Sequence, residues 1–108
     1  MPAITIDATA RFVSTLSFDL GSGDVSEISR EVQHAVEEQV PKVEGFIGCV
    51  VMVDTQKTHL LVVSVWESAH ACGAAQYDQG IGRVVSDVVE AAKSYEIRTY
   101  ETVTVVRA

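Results

Sequence analysis

The sequence predicts an α+β domain of the ferredoxin-like type, β-α-β-β-α-β, with an antiparallel sheet carrying its helices on one face. Three observations predict it. Four stretches (10–20, 46–53, 59–66 and 95–106) read as strands, and the segments 25–40 and 83–93 instead carry apolar residues at helical spacing. The two middle strands are separated only by "DTQK", which reads as a hairpin turn.

In "ARFVSTLSFDL" (10–20), Phe12, Leu16, Phe18 and Leu20 fall on one face, and Arg11, Thr15, Ser17 and Asp19 largely on the other. "GSGD" follows as a turn, and Asp24 with Glu27 three residues later forms an N-cap and capping box. Val25, Ile28, Val32, Ala35, Val36 and Val40 then line one side of a helix, opposite Glu27, Arg30, Glu31, Gln33, His34, Glu37 and Glu38. Pro41 and Gly45 end it. "FIGCVVMV" (46–53) and "HLLVVSVW" (59–66) are rich in β-branched residues and form the hairpin. Ser68 caps a short helix "AHACGAAQY", which ends near a "DQGIG" loop. A second amphipathic piece runs from Arg83 to Lys93, and "YEIRTYETVTVV" (95–106) is the last strand.

Strands 46–53 and 59–66 are apolar on both faces, with Leu60, Val62 and Trp66 on one parity and Leu61, Val63 and Val65 on the other. Helices cover one face, and a wet second face would alternate with polar residues. The expectation is a homodimer whose two sheets pack face to face. The plainer alternative is that the first ten residues cover part of that face.

A chain of 108 residues is one domain, spanning 1–108, with room for a single core. With 8 basic and 15 acidic residues the net charge is −7, which repels nucleic acid and anionic membranes. The N-terminus has no basic leader, no apolar run approaches a membrane span, and two cysteines make no disulfide framework. The expected location is the cytoplasm.

"EGFIG" (44–48), the hairpin ending in "VSVWES" (63–68) and the alanine-rich helix after it resemble the antibiotic biosynthesis monooxygenase-like domains of the dimeric α/β barrel superfamily. The resemblance covers roughly residues 10–106. It implies a ligand pocket between sheet and helices in each subunit, and includes cofactor-independent monooxygenases of polyphenols and quinones as well as haem-degrading enzymes. In the haem-degrading branch the axial histidine would fall near Val84 and the distal asparagine near Ser17. Neither residue is present, which argues against haem degradation.

Among single residues, Trp66 is the candidate substrate-binding wall, set against the reading of a core tryptophan at the strand-helix corner. His70 and Cys72 point about 200° apart on a helix, so they share neither a metal nor a catalytic dyad. His70, Ala74 and Tyr77 share a helix face, making His70 and Tyr77 the candidates for proton transfer at a pocket mouth; the alternative is a surface histidine beside a half-buried tyrosine. Cys49 and Cys72 read as small buried apolar residues, and His34 and His59 as solvent-facing. Arg83, Arg98 and Tyr100 read as solvated or paired with Asp87 or Glu101. No zinc spacing or phosphate-binding loop occurs, and neither metal nor cofactor is expected. Two functions follow: a homodimer binding a small aromatic ligand, as a cofactor-independent oxygenase of an aromatic or quinol compound, or a non-enzymatic ligand-sensing or assembly domain. An interior pocket of ~300 Å³ or more with convergent polar groups would favour binding or catalysis.

Overall fold

A computed structural model of the protein describes residues 12–21, 25–104, 106 and 108. The expected cap at Asp24 and any cover from the first ten residues lie outside the described residues. The elements are β1 (Phe12–Asp19), α1 (Val25–Glu38), a single 3-10 turn (Val40–Lys42), β2 (Phe46–Val53), β3 (His59–Trp66), α2 (Ala69–Gln76), α3 (Gln79–Ala91) and β4 (Ser94–Glu101). The four strands form one antiparallel sheet in the order β2-β3-β1-β4, the expected ferredoxin-like arrangement.

In α1, Val25, Val32 and Ala35 are buried and Ile28 and Val36 partly so, while His34 and the glutamates face out. The β2-β3 hairpin turns on Asp54, whose carboxylate accepts the backbone N–H groups of Thr58 at 2.8 Å and His59 at 2.9 Å. These bonds hold its pKa down, to about 2. Lys57 takes the left-handed conformation that closes the turn, with φ 59°.

Three boundaries differ from expectation. The first helix ends at Glu38, and Val40, expected on its stripe, opens the 3-10 turn before Gly45. The stretch "DQGIG" is not a loop, because α3 begins at Gln79 directly after Tyr77 and Asp78. The Asp78 carboxylate caps that start, accepting the Ile81 N–H at 2.9 Å, and the capped turn outweighs the helix cost of Gly80 and Gly82. The final strand stops at Glu101 rather than running to residue 106. Glu101 pairs with Phe12, where β1 begins among the described residues, so the apolar stretch beyond it has no partner strand there.

All three helices lie over the sheet face that carries Phe18, Leu60, Val62 and Trp66. On the opposite face, Val13, Val50, Leu61 and Val63 are half-buried, Met52 and Tyr100 are exposed, and Val65 is buried. Among the described residues no helix is long and apolar enough to cross a membrane.

Candidate functional site

The strand register arranges the helix-facing side chains in cross-strand rows. One row reads Val53, Leu60, Phe18 and Tyr95, and the next Val51, Val62, Leu16 and Ile97. The third reads Cys49, Ser64, Ser14 and Thr99, and the last Phe46, Trp66, Phe12 and Glu101. Small polar residues thus fill a row flanked on both sides by larger, mostly apolar ones.

Above that third row lies a cavity of about 420 Å³ between the sheet and the helices. Its walls include Leu16, Val32, Val36, Val62 and Trp66, and its polar lining includes Ser14, Ser64, Cys49 and Cys72. Gln76, Ser86 and Ile97 line it too and are exposed, which places its mouth between α2, α3 and β4. The volume and the convergence of few polar groups on apolar walls are those of a small-molecule site.

Trp66 lines this cavity and is also a core residue, 3% exposed and edge-on to Phe46 with ring centroids 5.4 Å apart. Its indole N–H is engaged by the Ser64 hydroxyl at 2.8 Å, so it offers a ligand its face rather than its proton. The capping residue Ser68 accepts the Ala71 N–H at 3.1 Å and starts α2 immediately after the strand. The corner is tight: Glu67 N–H donates to the Gly45 carbonyl at 2.9 Å, and Gly45 has φ 89°. A Cβ on Gly45 would lie 2.5 Å from the Ala71 Cβ. "EGFIG" and "VWES" therefore meet in space, at one end of the cavity.

His70 and Tyr77 are placed elsewhere. Both are exposed, Tyr77 at 87%, and neither lines the cavity. The reason is helical geometry: Cys72 and Ala75 turn inward from α2, which sends the His70, Ala74 and Tyr77 face to solvent. Among the described residues the lining holds no carboxylate, imidazole, amine or phenol. Its ionisable groups are the two thiols, both pushed up by burial, Cys49 to about 11. A hydrogen bond from Ser14 offsets part of the effect at Cys72. Of the positions relevant to haem, Val84 does line the cavity, but Ser17 pairs with Leu61 on the far face of the sheet. The absence of asparagine at Ser17 therefore carries no weight.

Sequence reasoning passed over Ser14 and Ser64. Each breaks the apolar parity of its strand, Ser14 between Phe12 and Leu16 and Ser64 between Val62 and Trp66. Two such breaks in strands that then pair were the available signal. Arg98 bonds Glu96 at 2.6 Å instead of Glu101, and Asp87 lies against Glu31.

No family model and no curated protein sequence matches the chain. Solved structures do, with 84 chains similar in fold. A Deinococcus radiodurans protein assigned to the antibiotic biosynthesis monooxygenases is 13% identical with a TM-score of 0.78, over 90% of this chain and 97% of that one. A variant of SnoaB, a cofactor-independent oxygenase from Streptomyces nogalater, is 12% identical with a TM-score of 0.78, over 92% and 99%. A Nitrosomonas europaea protein with the same monooxygenase assignment is 9% identical with a TM-score of 0.75, over 91% and 95%. The chain has the antibiotic biosynthesis monooxygenase-like fold.

Proposed function

We propose that the chain is a cytoplasmic homodimer that binds a flat, largely apolar aromatic or quinol compound between its sheet and helices and oxygenates it with dioxygen, without a cofactor. The cavity of about 420 Å³, with apolar walls and a few convergent polar groups, carries the reading. The similarity in fold to a cofactor-independent oxygenase supports the chemistry. The quinol itself supplies the electrons: one oxygen atom of dioxygen replaces a ring C–H by C–OH, the other leaves as water, and the ring ends as the hydroxyquinone. A quinol gives up electrons more readily as its anion, so the protein's part is to orient the ring against Trp66 and let a proton leave. With no base in the described lining, that proton departs through the mouth beside Gln76 and Ser86.

The test is oxygen uptake with 1,4-dihydroxynaphthalene. Uptake above the uncatalysed rate that is lost in Ala75→Leu, which fills the cavity, and kept in His70→Ala and Tyr77→Phe, supports the assignment. Binding without protein-dependent uptake would favour the second reading, a ligand-sensing module, whose specific support is the absence of a titrating base from the described lining. The homodimer rests on the half-buried apolar face formed by Val13, Val50, Leu61 and Val63, with Met52 and Tyr100 beside it. Sedimentation equilibrium should give twice the chain mass at micromolar concentration, and a monomer there removes the dimer.

A further inference from the structure

We infer that Ser14 and Ser64 form a two-donor clamp that grips one carbonyl oxygen of an otherwise apolar aromatic ligand, so the preferred occupants are flat ketones rather than hydrocarbons of the same shape. The inference rests on the ligand-binding reading above and adds the group by which the ligand is recognised.

The geometry is specific. Ser14 and Ser64 are directly opposed on adjacent antiparallel strands, and both line the cavity. Side chains at such a pair stand about 4.5–5.5 Å apart at Cβ and project in the same direction, so two hydroxyls there can converge on a single atom placed between them. Both serines are more than nine-tenths buried, at 7% and 9% exposure. Solvent therefore does little to satisfy them, and buried hydroxyls seek partners.

Their hydrogen-bonding capacity fixes the polarity of the clamp. A serine hydroxyl donates one bond and accepts up to two. The Ser64 oxygen already accepts the indole N–H of Trp66 at 2.8 Å. Ser14 donates to Cys72, and burial keeps that thiol protonated at neutral pH; a neutral thiol is only a weak acceptor, so a carbonyl oxygen placed in the cavity competes well for the Ser14 proton. The Ser64 hydroxyl thus keeps its own proton for a ligand, and Ser14 can turn its proton from sulfur to a stronger acceptor. A donor already accepting a bond is polarised and donates more strongly. A carbonyl oxygen, with two lone pairs and no proton to place, matches two converging donors. A methylene in its place would leave both unpaired, which is the form of discrimination that polar pockets make best.

Equilibrium dialysis of the full chain against 9-fluorenone and fluorene tests this without any mutation, since the two differ only in C=O against CH2. The wild type should bind fluorenone at least about tenfold more tightly, as expected for one to two net hydrogen bonds. Ser64→Ala and Ser14→Ala should each remove most of that preference while leaving fluorene binding within about twofold. Ser64→Thr, which keeps the hydroxyl, should restore the preference relative to Ser64→Ala, and Ser14→Ala, which leaves the Ser64–Trp66 bond in place, should lose it, an outcome that a purely structural role through Trp66 would not produce. Equal affinity of the wild type for both ligands overturns the clamp and leaves the cavity reading intact. Failure to bind either compound overturns both.

Discussion

Two rows of the same sheet, built on the same strands and roofed by the same helices, have opposite interiors. In the row Val53, Leu60, Phe18, Tyr95, the two central side chains are 0% and 1% exposed, and Val88 of α3 closes over this end of the core. Two steps along the strands, the row Cys49, Ser64, Ser14, Thr99 sits beneath Cys72, Ala75 and Gly82, and about 420 Å³ is left open. The register continues from one row to the other without a break between β1 and β3. The cavity therefore comes from truncated side chains on both layers, beside a register shift in β2 between Phe46 and Gly48, in an interior that would otherwise close-pack. Such a site is cheap to open and equally cheap to fill.

The largest predicted effect lies in the packed row. Leu60→Ala should cost about 2–5 kcal/mol in urea-melt stability, because its neighbours are interlocked and collapse poorly. If it costs no more than a surface substitution, the two ends are not packed differently and the comparison fails. Next is the corner that joins "EGFIG" to "VWES". Gly45→Ala combines a φ of 89° with a Cβ 2.5 Å from that of Ala71, and should cost about 1–3 kcal/mol. Adding Ala71→Gly should recover the steric part and leave the backbone part, which a double-mutant cycle would read directly. Smaller in stability, and opposite in logic to Leu60→Ala, is Ala75→Leu in the hollow row. Extra methylenes forced into a filled core cost about 1–3 kcal/mol. Here the new side chain enters open space, so the melt should shift by under about 0.5 kcal/mol while ligand binding disappears.

The two rows were not equally legible in the sequence. The packed one announces itself: Phe18 and Leu60 fall in apolar alternation, and period-two patterning reports which residues share a face. The hollow one is written in Ser14 and Ser64, and a serine in a strand is commonplace until its partner is known. Only the register, which depends on how β1 and β3 align, turns two isolated polar residues into an opposed pair. Trp66 was legible because a large aromatic at a strand end is conspicuous in either role. The placement of His70 and Tyr77 was not legible, because a helical face can be read from spacing, whereas which face turns inward is decided by the packing of Cys72 and Ala75. The fold, set by periodicity and turn chemistry, was readable almost element by element. Its errors fell at the ends of α1, α3 and β4, where a 3-10 turn at Pro41, a single cap and a missing partner strand decide.

The smallest prediction sharpens the comparison by setting a polar group beyond the packed row against those in the hollow one. Asp54 sits in the turn next to Val53 and Leu60, and its carboxylate is held at about 2, below the ordinary 3.8, mainly by the backbone N–H of His59. A depressed folded-state pKa stabilises the protein above the unfolded value, and that contribution drains away as pH falls from about 4 toward 2. Asp54→Asn should thus lower Tm slightly between pH 5 and 7, with the gap from wild type closing by pH 2. A gap that persists unchanged at pH 2 would mean that the charge is not its source. Ligand affinity should behave differently over pH 5 to 3, because no carboxylate lines the cavity among the described residues and Ser14, Ser64 and the raised thiols do not titrate there. A flat binding profile beside a sloping stability profile is the signature of polar groups that serve the turn at one end of the sheet and the ligand at the other.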